Sequence, residues 1–124
     1  MNELVNTKAM DTVKIADEVV ATIAGITALE VENITLNAGG VLLSKKTSAK
    51  GVKVESKEDG LHLYMNATVK YGCKIHIVAQ TLQQRVRKAV EDMTGLNVVS
   101  VNVNVTNIIE EELPAETHKE NNDE

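Results

Sequence analysis

The stretch TGLNVVSVNVNVTNI, residues 94–108, places valine at 99, 101, 103 and 105 and sets Ser100, Asn102, Asn104 and Thr106 between them. Strict alternation over so many residues marks a β-strand, whose successive side chains point to opposite faces of a sheet. The valines call for a core on one side. The other side then faces water, a small ligand or a second protein surface, and the function of the chain turns on which.

Just before this strand, IHIVAQTLQQRVRKAVEDMTG (75–95) has helical periodicity, with Ile75, Val78, Ala79, Leu82, Val86, Val90 and Met93 on the expected buried side. Gly95 suits the left-handed conformation that closes a helix, and Leu96 supplies the accompanying apolar contact. The start is unmarked, because no Ser, Thr, Asp or Asn immediately precedes Ile75. Further upstream, VKVES (52–56) and LHLYMNATV (61–69) read as two strands joined by KEDG, whose Asp59-Gly60 pair signals a hairpin. In the second of these, Leu61, Leu63, Met65, Ala67 and Val69 share one face, and His62, Tyr64, Asn66 and Thr68 share the other.

VENITL (31–36) is a short strand candidate, and NAGGVLLSKKTSAKG (37–51) a Gly- and Ser-containing connection. ADEVVATIAGITALE (16–30) has the spacing of an amphipathic helix. Val19, Ile23 and Ile26 form its stripe, broadened by Val20, Ala24 and Ala28. Asp17 and Glu18 fall in its first turn, where negative charge complements the helix dipole. The order α-β-β-β-α-β predicts a two-layer α+β fold. Two helices cover one face of a small, three- to four-stranded, mainly antiparallel sheet.

Composition sets the bounds. The 124 residues suit one domain with one core, and they include no Phe or Trp and only two Tyr. The core must therefore be aliphatic, and the aromatic platforms on which single-stranded nucleic acid stacks are missing. Net charge is −5, but residues 110–124 hold seven of the 18 acidic residues and one of the 13 basic ones. Residues 1–11 read as a flexible leader, 12–109 as the domain, and 110–124 as a disordered acidic tail too poor in apolar residues to order itself. The single cysteine, Cys73, has no internal partner, and the N-terminus lacks a secretory pattern, which points to an intracellular setting. No run approaches the ~20 apolar residues that span a bilayer.

If the helices lie against the valines, the opposite face presents His62, Tyr64, Asn66 and Thr68 beside Ser100, Asn102, Asn104 and Thr106. None carries a fixed charge, although charged residues make up 25% of the chain. A polar outer face is the ordinary state of an antiparallel sheet in water. A neutral one is also inexpensive to desolvate, which suits a contact surface. The closing strand is in addition a candidate sheet edge, open to pairing with another copy.

Lys45, Lys46, Lys50, Lys53 and Lys57 cluster in residues 44–57, and Arg85, Arg87 and Lys88 on the second helix. They are candidate phosphate contacts, though a solvated lysine-rich loop explains the first group as well. Catalytic signals are weak. Gly39-Gly40 lacks phosphate-loop spacing, Lys50-Gly51 reverses the P-loop order, and Cys73 with His76 lacks a third group and an oxyanion site. No catalytic, metal or cofactor-binding residue is expected.

Four segments, DEVVATIAGITALEVENI (17–34), AKGVKVE (49–55), YGCKIHIVAQTLQQRVRKAVEDMTGL (71–96) and VVSVNVNV (98–105), together resemble the alkaline shock protein (Gls-type) family of Gram-positive bacteria. The resemblance spans most of residues 12–108. Cys73 and His76 stand where that family more often has an aliphatic residue and a proline, and Asn33 where it often has glycine. The resemblance implies a cytoplasmic, non-enzymatic envelope stress response protein without a membrane span. It also implies self-association and, in some members, recruitment to the inner membrane face by an anchor protein. Expected partners are therefore another copy of the chain and a membrane anchor protein. The alternatives are a nucleic-acid-binding regulator using the basic residues, and a small-molecule or fatty-acyl binding module linked to lipid metabolism.

Overall fold

The computed structural model describes residues 11–38, 41–42 and 51–110. In chain order these form α1 (Asp17–Ala28), β1 (Ile34–Ala38), β2 (Val41–Leu42), β3 (Val52–Lys57), β4 (Gly60–Lys70), α2 (Ile75–Thr94) and β5 (Val98–Ile109). The expected α+β fold is present. Four strands of five residues or more make the mainly antiparallel sheet, and the two-residue β2 extends β1. Most of the expected leader and most of the acidic tail lie outside the described residues.

β4 organises the sheet because every longer strand pairs with it. β3 runs antiparallel along its first half, Val52 opposite Met65 and Lys57 opposite Gly60. β1 runs antiparallel along its second half, Ile34 opposite Val69 and Leu36 opposite Ala67. Both lie on the same side of β4, because β5 occupies the other side from Leu61 to Lys70. β5 is parallel to β4, and α2 is the crossover that such a pair requires.

The hairpin forms where KEDG placed it. Glu58 and Asp59 make the turn, and Gly60, at φ +133°, opens β4. Gly95 closes α2 with φ +74°, its N–H donating to the Glu91 carbonyl at 2.9 Å. Lys74 precedes the helix without a side-chain cap, as the unmarked start suggested. Asn33, standing where the resembled family often has glycine, takes φ +72°, a left-handed conformation that asparagine tolerates better than most residues.

The core is aliphatic and one-sided. Leu61, Leu63, Met65, Ala67 and Val69 of β4 are all buried, together with Leu82, Val86 and Val90 of α2 and Val20, Ala21, Ala24 and Ala28 of α1. Three expectations about orientation need correction. In α1 the buried stripe is Val20, Ala21, Ala24, Gly25 and Ala28, whereas Val19 is 48% exposed and Ile26 42%. At the two ends of α2, Ile75 and Met93 are exposed rather than buried. In β5 a register shift lies between the Leu61–Val98 and His62–Ser100 pairs, so that Val99 is the extra residue of a bulge. Val98 and Val101 enter the core, Val99 is 37% exposed, and Val103 and Val105 are half-buried against the core's edge.

Candidate functional site: the uncovered face of the sheet

The pleat brings the eight predicted face residues to one side of β4 and β5. His62 lies opposite Ser100, Tyr64 opposite Asn102, and Asn66 opposite Asn104. Thr106 is displaced by a second bulge, which sets Thr68 opposite Asn107. Tyr64, Asn66, Asn102, Asn104 and Thr106 are exposed, and His62 and Ser100 half-buried. Thr68 is only 1% exposed and its neighbour Thr35 3%, so the open surface ends there.

These side chains are bonded to one another. His62 Nε2 lies 2.9 Å from the Asp59 carboxylate and Nδ1 3.0 Å from Ser100 Oγ. The carboxylate only accepts, so Nε2 carries the proton that it donates, and in the neutral ring Nδ1 accepts from the Ser100 hydroxyl. The Asn102 amide donates to Ser100 Oγ at 2.9 Å and to the Leu63 carbonyl at 3.0 Å. Asn104 donates to Asn66 at 3.3 Å. Farther along, Thr68 donates to Asn37 Oδ1 at 2.8 Å, and Asn37 Nδ2 donates to Thr106 Oγ1 at 3.0 Å. The face is a hydrogen-bonded mesh that satisfies much of its own polarity. The bond from His62 holds the Asp59 carboxyl below its usual range, against the upward pull of partial desolvation. At the rim, partial desolvation raises the Glu55 carboxyl, but Lys57, Lys53 and a hydrogen bond from Tyr64 outweigh it and leave the net shift downward.

Asp59, His62 and Ser100 have the residue types of an acyl-transfer triad, a grouping that sequence spacing did not reveal. The chemistry also needs backbone amides aimed at an oxyanion above the serine. On a pleated face those amides lie in the plane of the sheet, directed into its ladders. The group instead ties the hairpin turn to β5. Among the described residues, no set of His, Cys, Asp and Glu is arranged to hold a metal. Cys73 is half-buried against the core.

Among the described residues, three of the candidate basic side chains are each paired with a carboxylate. Lys53 pairs with Glu55 at 3.6 Å, Arg85 with Glu30 at 3.3 Å and Lys88 with Asp92 at 2.8 Å. Lys45, Lys46 and Lys50 lie outside the described residues. Arg87 turns inward to the Val98 carbonyl. It belongs to a row on α2 that sequence reading missed: Gln83 donates to the Val101 carbonyl at 3.0 Å, and Glu91 accepts from the Val98 N–H at 2.9 Å. The signal for it was the four-residue spacing of three polar side chains beside the buried stripe. An open-sided cleft of about 360 Å³ lies near the hairpin turn, with Val13, Ile15, Leu61 and Leu96 among its lining residues.

With this geometry in place, comparison decides the family. The model of the alkaline shock protein 23 family, described by a cell envelope-related function, matches residues 5–110. The chain belongs to that family. Its members include relatives in Gram-positive bacteria. The Bacillus subtilis protein YqhY is 34% identical over 102 residues, covering 77% of this chain and 76% of its own length. Streptococcus pyogenes Spy1614 is 34% identical over 116 residues, covering 87% of this chain and 95% of its own. The Bacillus subtilis protein YloU is 33% identical over 104 residues, covering 77% and 87%. Each is named only as an uncharacterized protein. No solved structure matches the chain. The family carries a cell envelope-related function, and none of the described helices is long and apolar enough to cross a membrane.

Proposed function

We propose that this family member is a non-enzymatic interaction protein of cell-envelope homeostasis. It acts at the cytoplasmic side of the membrane by self-association and by docking to a membrane-associated anchor protein. The observation that carries this reading is the uncovered sheet face, where Tyr64, Asn66, Asn102 and Asn104 are exposed, neutral and partly bonded to one another. Covering such a face costs far less than covering lysines or glutamates, because few of its polar groups need new partners.

The alternatives have less support. For a nucleic-acid regulator, Lys53, Arg85 and Lys88 are each held by a carboxylate. For a small-molecule or fatty-acyl module, the cleft near the hairpin is of ligand size, but none of the bonded face residues is among those that line it. The test is a pull-down from membrane and soluble fractions with the whole chain and with the Asn102→Lys, Asn104→Lys double variant. Recovery of an integral membrane protein by the wild type and its loss in the variant is the expected result. Equal recovery by both would remove the sheet face from the reading, and co-purifying nucleic acid would favour the regulator.

A further inference from the structure

β5 is the edge of the sheet on the side away from β3 and β1, and its outer backbone groups are treated unequally. The N–H and carbonyl of Val98 are taken by Glu91 and Arg87, and the carbonyl of Val101 by Gln83. Backbone groups alternate between the two sides of a strand, so Val103 and Val105 turn theirs outward as Val101 does. The row that serves Val98 and Val101 continues along α2, at the same four-residue spacing, to Ala79 and Ile75. Neither has a polar group to offer, and Ile75 is 38% exposed. Among the described residues nothing bonds the outer edge at Val103 and Val105, whose side chains are only half-buried.

We infer that this edge pairs antiparallel with the same edge of a second copy, about a two-fold axis at Asn104. This rests on the proposed self-association and gives it an address. Three features select another copy as the occupant. Residues 97–109 carry no charge, so self-pairing brings no like charges together. Pairing Val103 with the partner's Val105, and Val105 with the partner's Val103, uses both uncapped residues without displacing Gln83 from Val101. The same register sets Glu110 opposite the partner's Val98, the residue whose carbonyl Arg87 binds. The two sheets then join edge to edge, and their neutral faces form one continuous surface twice as wide.

The register is open to a crosslinking test in full-length chains in which Cys73 is replaced by alanine. Asn104 falls opposite the partner's Asn104 in a non-hydrogen-bonded pair, where the Cα atoms are ~4.5 Å apart, within disulfide reach. Asn66 lies one strand farther in, so its two copies are separated by three strand spacings, ~14 Å. Under mild oxidant, Asn104→Cys should form a covalent dimer, and Asn66→Cys should not. Linking of Asn66→Cys as readily as Asn104→Cys would replace the edge with face-to-face contact. A dimer by sedimentation that links through neither would overturn the edge pairing while leaving self-association standing. A chain that sediments as a monomer would overturn both.

Discussion

Gly60 is closed to a larger side chain. Its φ of +133° lies where L side chains are strained, and an added Cβ would meet the Asn97 carbonyl oxygen at 2.6 Å and Val99 Cγ2 at 2.9 Å. Gly60→Ala should therefore lower unfolding stability by at least ~1–3 kcal/mol, read from the shift of a urea midpoint. Beside it, Asp59 gives acid stability a definite sign. Its carboxyl is depressed below 3.8 by the bond from His62, so the contribution is present above 3.8 and is lost as pH falls through the lower folded value. Thermal unfolding of Asp59→Asn should show a shallower loss of stability below that pH than the wild type. At this scale the sequence was readable where one residue type has one physical use. Gly95 and the hairpin glycine are such cases. It was misleading at Val98-Val99, where a pattern of period two cannot say which of two adjacent valines a bulge will expel.

In the helices, legibility depended on how strongly the pattern discriminates. α2 has charged residues on one flank and Leu82, Val86 and Val90 on the other, and its central buried stripe was legible from spacing. α1 is apolar almost all round, so spacing left its rotation undetermined. In the folded chain Val20, three alanines and Gly25 face the interior, where α1 meets α2 and the sheet, and Val19 and Ile26 stay at the surface. The substitution test follows from that orientation. Ala24→Leu forces volume into a site with no exposure and should destabilise by ~1–3 kcal/mol. Val19→Lys should stay within about 0.5 kcal/mol of wild type, as surface substitutions do. The reverse ranking would mean that the helix lies with its valine–isoleucine stripe inward.

For the whole molecule, the arrangement that matters is one-sided helical cover over a sheet centred on β4. Alternation along β4 and β5 made both faces readable, but not their neighbours. Asn37 and Asp59 reach the mesh from a different strand and from a turn, and no local period records such a contact. Adjacent residues of β4 give the test. Leu63 has no exposure and lies beneath the helical layer, so Leu63→Ala should cost ~2–5 kcal/mol. Asn66 is exposed on the opposite face and accepts one bond from Asn104 at 3.3 Å, so Asn66→Ala should cost ~1 kcal/mol or less. Both variants should unfold in a single transition by fluorescence-independent probes such as far-UV circular dichroism and hydrogen exchange, because the strands and helices share one core. An Asn66→Ala loss as large as that of Leu63→Ala would mean that the chain covers its own second face, and that face would then not be available for docking.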